Sequence, residues 1–214
     1  MNYQEFQFIF EEGVAKLGVS VAPQQVSSFY IFLQELISWN KRINLVSRES
    51  QHDIIAKDFL DSLTVSKYLN AGVSLADLGS GAGFPGIPIK IIRPDVSVSL
   101  FEVRQKKIYF LRHVIRCLNL DRIDVQREQG KENEAYFDVV VSRAFGTLTK
   151  FLNEAITVIK PMGIMLAMKG RGGKAELEKN LSLIREMGLI LLFCDQFRLP
   201  FLGHERIIIG LRRE

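Results

Sequence analysis

The sequence predicts an α/β fold: a mostly parallel sheet of seven strands that ends in an antiparallel pair and is preceded by a helical cap. Three observations carry this. From Ser74 onwards, short apolar or alternating runs trade places with amphipathic stretches, the pattern of strand–helix–strand units. No strand is legible before Ser74. The last two strand-like runs, 189–197 and 206–212, follow one another without a helix between them and read as a terminal hairpin.

Taken in order, residues 3–17 form an amphipathic helix with Phe6, Ile9, Phe10 and Val14 on one face. Residues 23–39 form a second, lined by Phe29, Phe32, Leu33, Leu36 and Ile37. Residues 50–69 continue as a third helical stretch with Ile54, Ile55, Phe59, Leu63 and Val65 apolar. Residues 1–72 are therefore expected as a helical extension, and 73–214 as one compact α/β unit. Within that unit, strands are predicted at 74–78, 96–102, 122–126, 137–142 and 163–168. Helices are predicted at 86–92, 104–119, 146–160 and 174–187. There is no internal repeat, low-complexity segment or flexible linker.

Composition bounds the function. The chain has 214 residues, 47% of them apolar, enough for a substantial core. Its two cysteines, Cys117 and Cys194, sit in apolar runs and are expected as buried free thiols of a reducing compartment. The three histidines, His52, His113 and His204, are scattered, and neither metal-ligand spacing nor a Cys–His catalytic pair is evident, so no metal is expected. No secretory leader is indicated, and no apolar run approaches the roughly 18 residues of a membrane helix. A cytoplasmic monomer is expected. The net charge of +4 is uneven: residues 1–72 hold 6 Lys/Arg against 8 Asp/Glu, and the basic excess lies in the sheet-forming part.

The most informative segment is Asp77-Leu-Gly79-Ser-Gly81-Ala-Gly83-Phe84-Pro-Gly86, between a predicted strand and a predicted helix. Glycines at alternate positions let backbone approach a ligand, because no Cβ excludes it. Asp77 stands at the carboxyl end of the strand, an arrangement suited to a cationic small molecule. A second acid, Glu102, ends the next strand 21 positions after Gly81, where a carboxylate can accept hydrogen bonds from both ribose hydroxyls. Gly81, Gly83 and Gly86 also satisfy the dinucleotide pattern. That pattern aims helix amides at a pyrophosphate, whereas Pro85 and Pro88 remove two donors here and Asp77 adds negative charge. S-adenosylmethionine carries a sulfonium cation and no phosphate, and is favoured over NAD.

Further strings sharpen this: Trp39-Asn-Lys-Arg-Ile-Asn44-Leu, Phe59-Leu-Asp61-Ser-Leu63, Gly81-Ala-Gly-Phe-Pro-Gly-Ile-Pro88, Phe137-Asp-Val-Val-Val-Ser142-Arg143-Ala144 and Lys169-Gly170, in this order. From about residue 30 to its end the chain resembles the bacterial small-subunit ribosomal RNA methyltransferase G family, also called glucose-inhibited division protein B. The resemblance implies a Rossmann-like class I methyltransferase fold. It also implies transfer of a methyl group from S-adenosylmethionine to N7 of a guanine in 16S rRNA, near the decoding region, on the small ribosomal subunit or an assembly intermediate. Carried over by motif, Gly79, Phe84, Glu128, Gln129 and Arg143 are implied as cofactor contacts. The chain departs from the family's pattern at Gln129, where a glutamate is usual, and at Lys57, where a histidine is common shortly before Leu-Asp-Ser-Leu.

Guanine N7 has an in-plane lone pair and no proton, so its methylation requires no general base, and no residue is singled out as catalytic. Basic residues at Arg104, Lys106 and Lys107 open a helix with no acid in it, and Lys169, Arg171 and Lys174 lie in a Gly-rich loop after the fifth strand; both are candidate RNA contacts. Two other functions stay in view: methylation of a protein or small molecule, and a non-catalytic or dinucleotide-binding Rossmann module. The charge distribution and the family strings argue against the first, and the Asp77–glycine–Glu102 set against the second.

Overall fold

In a computed structural model, which describes residues 1–47, 50–127 and 137–214, the chain forms a seven-stranded sheet in the order β3-β2-β1-β4-β5-β7-β6. The strands are β1 (Ser74–Leu78), β2 (Ser97–Phe101), β3 (Ile123–Gln126), β4 (Phe137–Arg143), β5 (Ile159–Lys169), β6 (Leu189–Arg198) and β7 (Glu205–Arg213). Pairing is parallel from β3 through β5, and β7 runs antiparallel to both β5 and β6. The predicted terminal hairpin is present, with its second strand inserted between β5 and the first.

Three helices follow the early strands: α5 (Gly86–Ile92), α6 (Gln105–Cys117) and α7 (Leu148–Ala155). The predicted helix 146–160 is shorter than expected, because Ile159 and its successors pair with β4 and lengthen β5. The predicted helix 174–187 is two: α8 (Gly173–Lys179) and α9 (Leu181–Glu186). Asn180 breaks it, its side-chain amide donating back to the Glu176 carbonyl and its Oδ1 accepting from Thr149 Oγ1.

The cap begins with α1 (Tyr3–Lys16), whose first turn is capped by Asn2 Oδ1 accepting from the Glu5 amide, and α2 (Pro23–Asn40), with proline at its first position. The predicted helix 50–69 is segmented. Two α-helical turns, α3 (Gln51–Ile54) and α4 (Asp61–Leu63), flank a π-helical stretch, Ile55–Leu60, and a 3₁₀ turn follows at Ser66–Tyr68. Such wide turns occur often at functional sites.

The sheet has two apolar faces because its strand residues alternate. Leu75, Val98, Leu100, Val139, Val141, Leu166 and Ile208 share one core with α2, α5, α6 and the cap. Ala76, Leu78, Val140, Met165, Ile207 and Ile209 share the other with α7, Leu177 of α8 and Ile184 of α9. The cap therefore packs into the first core. Its centre is a group of phenylalanines: the Phe59 ring lies 5.3 Å from that of Phe29, 5.4 Å from Phe32 and 5.9 Å from Phe84 in the glycine loop. No helix among the described residues is long and apolar enough to cross a membrane.

Phe59 is fully buried and touches both layers. Phe59→Ala should destabilise the chain by about 3–5 kcal/mol, the cost of an aromatic-sized cavity, measured by urea unfolding. A loss below about 1 kcal/mol would mean that the cap and the sheet do not share this core.

Candidate active site at the carboxyl edge of the sheet

The site is built where the parallel strands β1, β2, β4 and β5 end. After β1 the chain makes a tight turn: the Ser80 amide donates to the Phe101 carbonyl, and the Ser80 carbonyl accepts from the amides of Gly83 and Phe84. The turn hooks the loop to the end of β2 and points Gly81 outward. Gly81 has φ +59°, and a Cβ there would meet only the Gly79 carbonyl oxygen and Lys107 Nζ, each at 3.7 Å. This is the bare backbone surface that a ligand requires.

At the other two alternating glycines, Gly79 and Gly83, an added Cβ would face protein. A Cβ at Gly79 would lie 2.5 Å from the Phe145 ring, and one at Gly83 would lie 2.5 Å from Ile87 Cδ1. The missing Cβ of Gly83 makes room for Ile87 of α5.

Asp77 also differs from expectation. Its carboxylate is fully buried behind the loop, where Oδ2 accepts from the Gly86 amide at 3.0 Å. Along β1 its side chain falls on the α5 side of the sheet, so it fixes the start of α5 and cannot touch a ligand above the loop. Burial pushes its pKa up to about 7, against the lowering pull of the Gly86 amide. Among the described residues its Oδ1 has no hydrogen-bond partner.

Glu102 stands where the sequence places it, one residue past β2. Its Oε1 accepts from the Arg104 amide at 2.8 Å, which turns the carboxylate toward the edge of the sheet. Oε2 has no protein partner among the described residues. Glu128 and Gln129, the other carried-over contacts, lie outside the described residues.

Phe84 is 3% exposed, packed between Phe32 and Phe59. Its ring lies beneath the site, so a contact with the cofactor at Phe84 falls to its backbone. Its outer face carries the Arg143 guanidinium, 4.8 Å from the ring centroid. Arg143 is the hub of a charged network. It donates to Asp58 Oδ1 at 2.5 Å and to the Lys57 carbonyl at 2.7 Å, and lies 3.7 Å from Asp61 Oδ2. Arg206 of β7 donates to the same Asp61 oxygen at 3.0 Å. Burial raises the pKa of Asp61, and the two arginines oppose it. The sequence reading missed this network, although Asp61 and Arg143 both stand in its quoted strings.

Arg143, Asp61, Arg206, Met168 and Lys169 line a cleft of 330 Å³ at the ends of β4 and β5. It adjoins the glycine loop through Arg143. The edge thus offers two neighbouring places: a glycine–carboxylate shelf at β1 and β2, and a cationic cleft at β4 and β5. The shelf fits S-adenosylmethionine, whose ribose matches the free Glu102 oxygen and whose backbone-close approach matches Gly81. A 510 Å³ cavity between α1, α4 and β6, lined by Lys16, Lys67, Arg93 and Arg198, lies away from this edge and takes no part in it.

The candidate RNA contacts separate into kinds. Lys169 is held by Glu176 at 3.0 Å and by the Gly146 carbonyl at 2.8 Å, so it braces the loop and does not project from it. Arg171 and Lys174 are exposed. Arg104 and Lys106 are exposed at the start of α6, whereas Lys107 reaches over Gly81 and belongs to the shelf.

The chain matches the family model described as rRNA small subunit methyltransferase G over residues 25–200. It is 36% identical to the ribosomal RNA small subunit methyltransferase G of Geobacter sulfurreducens, over 95% of each chain. It is likewise 36% identical to that of Geobacter metallireducens, over 99% of this chain and 98% of the relative. Among solved structures it resembles TYW2 of M. jannaschii in complex with AdoMet, with a TM-score of 0.61 and 14% identity over 81% of this chain and 80% of that one. That likeness is one of fold.

The buried Asp77 makes a pH signature. An unfolded Asp carboxyl titrates near 4, and the folded one at about 7. The folded chain holds this proton more tightly, so the group's contribution to stability falls as pH rises from about 4 to about 7. In urea unfolding at stepped pH, the stability of the native chain relative to Asp77→Asn should decline across that window. A difference that stays flat would show that Asp77 ionises in the folded chain as it does in water.

Proposed function

We propose a particular reaction for this chain, which belongs to the rRNA small subunit methyltransferase G family and is an S-adenosylmethionine-dependent methyltransferase: methylation of N7 of a guanine in 16S rRNA, near the decoding region. The observation that carries it is the pairing of a shelf and a cleft across Arg143. The shelf suits a nucleoside cofactor, and the cleft beside it is cationic, its Asp61 carboxylate held through Oδ2 by Arg143 and Arg206. The position near the decoding region rests on the family resemblance.

When bound, S-adenosylmethionine supplies a methyl group made electrophilic by the sulfonium. The chain's own work is placement. Gly81 leaves the loop surface bare, Glu102 Oε2 accepts from ribose hydroxyls, and Lys107 Nζ offers a cation to the cofactor's carboxylate. Arg143, fixed from below by Phe84 and from the side by Asp58, walls the cleft in which a base presents its lone pair. Holding two reacting atoms in line supplies about 7–11 kcal/mol of a barrier. N7 has no proton to lose, so the step asks for no base, and Asp61 serves to hold the two arginines through Oδ2. An amino-group acceptor would require a group to take its proton.

Residues 1–72 act in this reading as a cap that supplies Asp58 and Asp61, and residues 73–214 as the methyltransferase unit. The protein works in the cytoplasm as a monomer on the small subunit or an assembly intermediate. Arg171 and Lys174, with Arg104 and Lys106, are the cations that meet RNA phosphates.

Small-subunit rRNA lacking the modification, incubated with the chain and labelled cofactor, should gain one methyl group on a guanine that mass mapping assigns to N7. Gly81→Val should abolish cofactor binding by calorimetry and the methylation with it, because the branched side chain fills the shelf. Methyl transfer to a pyrimidine or to an exocyclic amine would overturn the assignment.

RNA affinity should fall with salt in proportion to the phosphates met. Arg171→Ala with Lys174→Ala should reduce the slope of log K against log salt by about 2 and leave cofactor affinity unchanged. An unchanged slope would move the RNA surface to the start of α6.

A further inference from the structure

On the cap side of α6, far along the helix from Glu102, three side chains of metal-ligating type converge. His113 and Cys117 are one helical turn apart on α6, and Glu35 faces them from α2. His113 Nε2 lies 2.6 Å from Glu35 Oε2 and 3.4 Å from Cys117 Sγ, and the three donor atoms lie within 4.8 Å of one another. The Trp39 ring, with its centroid 5.1 Å from that of His113, holds the imidazole from one side. Cys117 is exposed, contrary to the expected buried thiol, because it ends α6 beyond the last buried residue of its stripe, Val114.

We propose that Glu35, His113 and Cys117 form a binding site for a divalent transition ion of the zinc class, which clamps α2 of the cap to α6. One nitrogen, one sulfur and one carboxylate oxygen make a donor set of mixed softness, the kind zinc accepts. Zinc bonds of about 2.0–2.3 Å at tetrahedral angles place neighbouring donors about 3.3–3.8 Å apart. The His113–Cys117 separation already falls there. The His113–Glu35 pair has to open by under 1 Å, within the reach of one glutamate rotation. Both side chains are about 30% exposed, at 31% and 30%, so the ion has an entry path and a fourth position open to water.

Coordination balances simply. The Cys117 thiol, whose pKa is raised by partial desolvation and then by the Glu35 carboxylate, gives its proton to solvent when the ion binds. Imidazole Nε2 coordinates as the neutral ring with its proton on Nδ1. The ion then neutralises a thiolate and a carboxylate that otherwise repel each other. Sequence spacing alone did not suggest the site, since Glu35 stands 78 positions from His113.

The test uses the full chain stripped by chelator, with cobalt(II) as the spectroscopic probe and zinc as competitor. One equivalent of cobalt should bind with a thiolate-to-cobalt charge-transfer band in the near ultraviolet, and zinc should bleach it. Cys117→Ser should lose the band, Cys194→Ser should keep it, and Glu35→Gln or His113→Asn should weaken zinc binding at least tenfold. No thiolate band in the native chain, or a band that survives Cys117→Ser, overturns the site. If Cys117→Ser fails to fold by circular dichroism, Glu35→Gln decides: unchanged zinc affinity overturns the proposal, and a tenfold loss supports it.

Discussion

Arg143 is where separately built parts of this protein meet. It ends β4, lies on Phe84 of the glycine loop, donates to Asp58 and the Lys57 carbonyl in the π-helical stretch, and faces Asp61, which Arg206 of β7 also holds. Asp61 is only 3% exposed in its side chain, and a carboxylate so placed keeps its charge only while cations surround it. The network therefore ties the cap, the loop, the fourth strand and the last strand to one relative position. The active edge inherits its geometry from that constraint. Ser142 adds a neutral tie, its hydroxyl donating to the Leu78 carbonyl and locking the end of β4 to the end of β1.

The π-helical stretch has a physical role in this. The wider turn of Ile55–Leu60 keeps Phe59 in the aromatic core while Asp58, its neighbour in sequence, faces Arg143. The Lys57 carbonyl accepts from the Arg143 guanidinium in the same stretch. Packing on one side and charge on the other are met by one short run of chain.

Much of the fold was legible in sequence because strand residues alternate between two cores, and alternation survives without any knowledge of neighbours. β1 and α5 fall at their predicted bounds, and the other strands within a few residues. What was not legible is direction and company. Spacing put three glycines and Asp77 at the ligand, yet only Gly81 faces open space, because the turn at Ser80 rotates Gly83 toward Ile87 and the strand's pleat sends Asp77 behind the loop. The resemblance implies Phe84 as a contact, and nothing in the sequence shows that its ring packs between Phe32 and Phe59. Apolar periodicity announced a helix over 50–69 and could not separate an α-turn from a wider one. Glu102, whose place depends only on strand length, stands where it was expected.

The position of β7 has a consequence for how the sheet is completed. Among the described residues β6 pairs with β7 alone, and β5 meets β7 on the edge away from β4. The seventh strand in chain order is thus an interior one. Until it arrives, β6 has no partner and the edge of β5 is unpaired, while Asp61 waits for one of its two cations. Assembly of the catalytic edge is deferred until β7 is made, so a nascent chain can collapse around its phenylalanine core well before it is competent to act.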